Sequence, residues 1–288
     1  MNSLYQVLEA ENLEYYDLHE KLVPHLAEIR WILEGKRYKE LFVAIKERVI
    51  FGFGISWTNE FHPTEKYIRL YSLEPIAELL ERLVENINPH NKIVLSCWEG
   101  EVERIELVEE YGFTLFRKTY MENFQINYLL AKLQHVQTQQ VLKSLHEIIS
   151  DPVLEEAFFT FLKNNYEQTH LHNEVQDYSW QQWKVQLLAD QPDLELSYVL
   201  VQNENIEAYI MLHPGEAQHY EIGWVGQRKT NYLQGILKQQ LLKLQARGIE
   251  TVACEVDTTD DYAMQLFAFI EIEEYKSWNS YLLKKENE

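Results

Sequence analysis

The sequence predicts an α/β (α+β) protein of two tandem domains, each a mixed, mainly antiparallel sheet flanked by helices. Three observations predict it. The chain has 288 residues, long for one small domain and suited to two of roughly 140. Helical and strand-like hydrophobic spacings alternate through both halves. The order of segments in the first half also recurs in the second, at an offset of about 159 residues.

Taken in order, Leu22–Leu33 reads as a helix, and Leu41–Ile45, Val49–Trp57 and Tyr67–Tyr71 read as antiparallel strands. Ile76, Leu79, Leu80, Leu83, Val84 and Ile87 then fall at helical spacing, with Pro75 suited to the first helical position. The β-rich run Lys92–Cys97 follows, then a short helix around Ile105–Val108, the turn Tyr111-Gly112-Phe113, and an aromatic strand at Lys118–Met121.

The second half repeats this plan. Asp151-Pro152 is a helix start, an N-cap followed by proline. It opens Val153–Tyr166, and a second helix covers Trp180–Ala189. Strands Leu196–Val201 and Ile206–Leu212 are joined by a turn-rich connection, and His213-Pro214-Gly215 leads into Tyr220–Val225. Leu233, Ile236, Leu237, Leu241 and Leu244 mark a helix, Glu250–Glu255 a strand, Met264–Phe267 a short helix, and Trp278–Leu283 an aromatic closing strand. The boundary falls within Phe124–Gln140. We place it at 130/131, with the Gln-rich stretch Gln134–Gln140 as linker and Tyr128-Leu129-Leu130 as possible further strand.

Composition narrows the function classes. The formal net charge is −20, which opposes nucleic-acid phosphates and anionic lipid and favours approach of a cationic substrate such as an amine. The same acidity also serves solubility alone. No apolar run approaches the roughly 20 residues needed to span a bilayer, and the first residues lack a secretion signal, so a cytoplasmic protein is expected. Cys97 and Cys254 sit in strand-like runs and read as buried reduced thiols.

The element order resembles that of the GCN5-related N-acetyltransferase superfamily, in its tandem form. The residues that carry the resemblance run from Glu221-Ile222-Gly223-Trp224-Val225-Gly226 to Tyr281-Leu282-Leu283. Between them, Asp260-Asp261-Tyr262-Ala263-Met264-Gln265-Leu266-Phe267 looks like the family's Asn-x-x-Ala-x-x-Leu-Tyr segment, and Tyr111-Gly112-Phe113 looks like its Gly-Phe pair. The family's glycine-rich phosphate loop is missing from both halves. Its helix-four Tyr aligns with Phe267 and Val108, and its Gly-Phe pair becomes Glu271-Ile272 in the second half.

The resemblance implies an acetyl-CoA-dependent N-acetyltransferase, with acetyl-CoA as acyl donor, no metal, and a small-molecule or peptide amine as acceptor. It places acetyl-CoA at Trp224, Val225, Gly226 and Asp260, and assigns Glu221 to the amine proton. Arg228 and Lys229 precede Thr230 and Asn231, either of which can cap the next helix, so this turn reads as an anion cradle. The equivalent turn of the first half carries Glu74 and Pro75 with no cation, so that copy reads as structural. Phe267 has no proton to give to a leaving thiolate; Tyr262 is the candidate donor, with Tyr275 and Tyr281 from the closing segments and solvent water as alternatives.

His170 and His172 lie on the loop that borders the acceptor in this family. Their spacing with Glu174 could also suit a metal, but no Cys or third His lies nearby. The alternative to an enzyme is a catalytically inactive tandem module that binds a CoA thioester or a protein partner.

Overall fold

The computed structural model describes residues 5–13, 17–85, 92–138, 141–216, 219–229 and 232–284. Ile87, Thr230 and Asn231, singled out above, lie outside them. The chain divides into two compact units, one holding residues 1–117, 172–176 and 278–288, the other 118–171 and 177–277.

Unit 1 contains strands β1 (Gln6–Glu9), β2 (Asp17–Leu18), β3 (Tyr38–Lys46), β4 (Val49–Thr58), β5 (Glu65–Ser72) and β6 (Lys92–Trp98), with helices α1 (Val23–Glu34), α2 (Ala77–Glu85) and α3 (Val102–Glu110). Its sheet runs β1-β3-β4-β5-β6-β13, where β13 (Ser277–Leu283) is the closing strand of the whole chain, and β2 pairs with β4. The order follows from the sequence. β4 is an almost unbroken apolar run, as a strand covered on both faces must be. One face, at Gly54, meets α2 at Leu83, and the other packs α1 through Ile29 and Ile32. The helix after β5 begins at Ala77, so Pro75 stands two residues ahead of it rather than at its first position.

Unit 2 contains most of β7 (Thr114–Gln125), with α4 (Ile126–Lys132), β8 (Leu142–Ser144), α5 (Leu145–Ile149), α6 (Pro152–Thr169), α7 (Trp180–Ala189), β9 (Tyr198–Gln202), β10 (Asn205–Pro214), β11 (His219–Gln227), α8 (Leu233–Ala246), β12 (Thr251–Asp257) and α9 (Asp261–Leu266). Its sheet runs β7-β12-β11-β10-β9-β8. Asp151 caps α6, its carboxylate accepting from the amides of Val153 at 3.0 Å and Leu154 at 3.2 Å. Ser179 and Gln182 close a capping box on α7. The core on the α8 side contains Ile236, Leu237, Leu241 and Leu244 against Ile210, Ile222 and Val252.

Tyr128-Leu129-Leu130 is helical within α4, where Leu129 is fully buried. Lys238 Nζ anchors the following connection by donating to the carbonyls of Gln134 at 3.0 Å and Val136 at 2.8 Å. A division at 130/131 would separate a pair of strands from the sheets they join. β7 pairs antiparallel with β12 from Thr119↔Asp257 to Gln125↔Thr251. β13 pairs antiparallel with β6 from Trp278↔Trp98 to Leu283↔Ile93. Each half therefore closes the sheet assigned to the other half.

Both cysteines are buried and free, Cys97 in β6 and Cys254 in β12. Burial pushes both thiols up to about 12. No helix among the described residues is long and apolar enough to cross a membrane.

Candidate functional site

In unit 2, β11 and β12 are parallel neighbours joined through α8. They pair only from His219↔Thr251 to Ile222↔Cys254. Past that point β12 stays with β7 as far as Asp257, while β11 stays with β10 as far as Gln227, so the two strands diverge.

At the same point β11 carries a bulge. Ile210 pairs with Val225 and Leu212 with Ile222, so Met211 alone faces both Gly223 and Trp224. These two residues pair with neither β10 nor β12. Simple alternation along Tyr220–Val225 would place Glu221, Gly223 and Val225 on one face and Tyr220, Ile222 and Trp224 on the other, and the bulge breaks it. An extra residue shifts the phase, so Ile222 and Val225 both join the α8 core instead of facing opposite ways.

A cavity of ≈ 290 Å³ opens at the parting. Glu221, Glu255, Asp257 and Asp260 line it, and among the described residues no Lys or Arg does. Tyr166, His170 and Trp224 supply an aromatic wall. The Tyr166 and His170 rings stack at 3.9 Å, and those of Tyr166 and Trp224 at 5.0 Å. Trp224 is steadied by its indole N–H, which donates to Asp190 Oδ2 at 3.2 Å. Glu221 is exposed on β11 and pairs across the strands with His213. Burial holds His213 below the usual histidine range despite the carboxylates of Asp190 and Glu221. The His213 ring lies against Gly223, where a Cβ would come within 2.4 Å of its Cε1. Gly226 is equally confined, by Asn165 and Tyr209.

Asp260 caps α9, accepting from the amides of Tyr262 at 2.8 Å and Ala263 at 3.0 Å. Burial pushes its carboxyl up to about 6 from 3.8, against the pull of those two amides. A carboxyl raised on folding stabilises the native state most below its unfolded value. That contribution is lost as pH climbs from about 4 to about 6. Asp260→Asn keeps a side chain able to cap. It is expected to raise stability by about 1–3 kcal/mol at pH 8, with the difference shrinking toward pH 4. Denaturant titrations at the two pH values check this, and equal stability at pH 8 would refute it.

The other residues expected from sequence fall unevenly. Val225 and Gly226 line or border the parting, with Val225 on the cavity wall. His170 lines the cavity, whereas His172 belongs to unit 1, where its carbonyl accepts from Lys92 Nζ at 3.4 Å. Tyr262 is absent from the lining, and its hydroxyl donates to Gln168 Oε1 at 3.2 Å. Arg228 is exposed at the end of β11. Its Nε donates to the Ile206 carbonyl at 2.7 Å, and its guanidinium lies 4.5 Å from the Phe161 ring centre. Lys229 is exposed.

At the start of α8 the first described amide, that of Tyr232, is met by Gln227 Oε1 at 3.3 Å, and Gln227 Nε2 donates to Gln265 Oε1 at 2.8 Å. Sequence reading missed Gln227, and it missed Asn165, Tyr209, Glu255 and Asp257 in the lining. Tyr209 and Asn165 are spaced like core residues and have the burial of core residues. Among the described residues no cluster of three or more His, Cys, Asp or Glu could hold a metal.

Unit 1 repeats the parting without the bulge. β5 and β6 pair in parallel only from Glu65↔Lys92 to Ile68↔Leu95, but β5 remains in unbroken register with β4 through Ser72. Arg69 takes the place of Gly223. Its guanidinium lies between Trp57, at 5.4 Å, and Trp278, at 4.8 Å. The turn before α2 borders a cavity lined by Glu74, Glu101 and Glu103, whose one cation, Arg104, donates to Glu101 at 2.7 Å. A diphosphate would meet uncompensated negative charge there.

No protein-family model matches the sequence, and no curated protein matches it. Among solved structures the chain is similar to a GCN5-related N-acetyltransferase from Sphaerobacter thermophilus, at 11% identity and a TM-score of 0.58, over 86% of this chain and 81% of that one. It is also similar to a tandem GNAT protein from the clavulanic acid biosynthesis pathway, at 8% identity and a TM-score of 0.51, over 99% of each chain. At such low identity these likenesses bear on the fold. The chain has the tandem fold of the GCN5-related N-acetyltransferases.

Proposed function

We propose that the chain is an acyl-CoA-dependent N-acyltransferase that moves an acetyl group from acetyl-CoA to a primary amine in the parting between β11 and β12. The observation that carries the reading is the bulge, which leaves Gly223 and Trp224 outside both ladders beside an acid-lined cavity. Acetyl-CoA supplies an activated acyl group and a thiolate leaving group. The backbone of Gly223 and Trp224, displaced from the regular register of both neighbours, fits the role of meeting the thioester portion. The α8 start fits a diphosphate less well, because Gln227 already meets the Tyr232 amide.

The residues of unit 2 divide the remaining work. The four carboxylates of the lining attract a protonated amine and concentrate it at the cavity. The aromatic wall of Tyr166 and Trp224 offers a face to its cationic head. Glu221 takes the proton that the amine nitrogen must shed before or during attack. Tyr209 lines the cavity and is buried, and burial raises its phenol, so it can offer a hydrogen bond to the departing sulfur but is too weak an acid to protonate it. As the carbon–sulfur bond breaks, the thiolate takes its proton from solvent water.

Acetyl-CoA at 100 times its dissociation constant should stabilise the protein by about 2.7 kcal/mol, read as a rise in melting temperature. Release of free CoA should then accompany incubation with one or more members of an amine panel. No thermal shift at millimolar acetyl-CoA would remove the reading. Glu221→Gln is expected to lower kcat by about 10²–10⁴-fold while leaving the acetyl-CoA thermal shift in place. Unchanged turnover would remove Glu221 as base.

A second reading, an inactive module that binds a CoA thioester or a protein partner, is favoured by the engaged state of Gln227 and Arg228 and by Phe267 in place of a phenol. It predicts the thermal shift without CoA release.

A further inference from the structure

A second cavity, of ≈ 540 Å³, lies in unit 1 at the junction of the α1 C-terminus, the start of β3 and the loop after β4. Its lining sets it apart from the rest of a chain whose net charge is −20. Lys36, Arg37 and Lys39 line it with the aromatic residues Trp31, Tyr38, Trp57 and Phe61, and Glu60 is its one carboxylate. Among the described residues none of the three cations forms an ion pair. Trp31 is 50% exposed and meets Trp57 edge-on, at 5.9 Å and 86°. Arg37 leans toward the Trp31 ring at 6.0 Å.

The backbone here is also unusual. α1 ends in a paired reverse turn, with the Lys36 amide donating to Leu33 at 3.1 Å and the Arg37 amide to Ile32 at 3.0 Å. The residue that must adopt the left-handed conformation in such a turn is normally glycine. Here it is Lys36, at φ 48°. A lysine held in a strained conformation and left without an ion-pair partner suggests a use for its charge. Cations beyond a helix C-terminus also complement its macrodipole. That accounts for Lys36 and Arg37 but not for Lys39, which lies on β3 beyond the last turn of α1.

We propose that this cavity binds a planar aromatic ring that carries a phosphate group. The ring stacks on the open face of Trp31, and the phosphate is held by Lys36 and Lys39 as point charges and by the Arg37 fork. The proposal does not rest on acyl transfer in unit 2.

Adenosine 5′-monophosphate is the probe, titrated into the full chain at low salt and followed by calorimetry. The expected result is saturable binding with a dissociation constant of about 1 mM or tighter. Binding should weaken roughly tenfold in Lys36→Gly, roughly tenfold in Lys39→Ala, and still further in Trp31→Ala. Adenosine and inorganic phosphate should each bind at least about tenfold more weakly than the nucleotide. Lys36→Gly guards against misreading a folding defect, because glycine suits the φ of this position and the variant should melt no lower than wild type. No binding at millimolar nucleotide would overturn the proposal. So would wild-type affinity in both lysine variants, or adenosine binding as tightly as its monophosphate.

Discussion

Deleting residues 278–288 is expected to unfold unit 1. The lost segment includes all but the first residue of β13, and β13 pairs with β6 over six residues. Tyr281 and Leu282 are 2% and 4% exposed, and Tyr281 belongs to the same core cluster as Leu79, Leu83 and Val108. Ser280 shares a buried hydroxyl contact with Ser96 at 2.9 Å, and Trp278 forms one side of the Arg69 stack. Truncating a single large aromatic core residue costs about 3–5 kcal/mol, and a buried leucine about 2–5 kcal/mol. Their combined loss reaches the roughly 5–15 kcal/mol that holds a typical domain together. β6 would in addition be left with a row of unpaired amides. Hydrogen exchange at Ile93–Cys97 reads the outcome, and native protection there after the deletion would contradict the strand exchange. Tyr281→Ala should give a milder version of the same defect, about 3–5 kcal/mol less stable than wild type.

Gly223→Ala is expected to close the candidate site. The new Cβ would stand 2.4 Å from His213 Cε1 and 2.6 Å from its Nδ1, closer than packed atoms allow. Either the imidazole or the bulge must move. Overpacking of this kind costs about 1–3 kcal/mol. Displacing the bulge would also misplace the backbone on which the proposed thioester contact depends, so the thermal shift with acetyl-CoA should disappear. A general loss of stability is separable from this steric effect. His213→Ala in the Gly223→Ala background removes the clashing ring and should restore the shift. A Gly223→Ala protein that melts and responds to acetyl-CoA like wild type would show that close packing against His213 does not shape the site.

The contrast between the two units explains why only one is proposed to act. Both carry a crossover helix between parallel strands, and both let those strands diverge after four paired residues. In unit 2 a bulge and a glycine leave the parting open. In unit 1 β5 stays zipped to β4, and Arg69 sits where Gly223 does, stacked between two indoles.

Much of this was legible in the sequence because hydrophobic period and capping chemistry are local. Asp151-Pro152 marks the start of α6, and Trp180–Ala189 is α7 to the residue. The parallel pairing of β11 with β12 follows from strand, helix, strand in succession. What escaped has physical reasons. The strand exchange is invisible because Lys118–Met121 and Trp278–Leu283 look the same whichever sheet receives them. The bulge is invisible because alternation along Tyr220–Val225 presumes one residue per step, whereas Met211 faces two. Arg228 and Lys229 read as a cradle from charge and position alone, and that reading has no access to the Ile206 carbonyl or the Phe161 ring that engage Arg228. Tyr209 and Asn165 look like ordinary core residues until the divergence of the strands exposes one side of them to a cavity.

The most direct measurement is residue-resolved hydrogen exchange on the full chain with and without saturating acetyl-CoA. The amides of Gly223 and Trp224 should exchange more slowly once acetyl-CoA is added, while those of Arg69 and Leu70 in unit 1 stay unchanged. Exchange at Gly223 and Trp224 that ignores acetyl-CoA would contradict the placement of the acyl donor in unit 2.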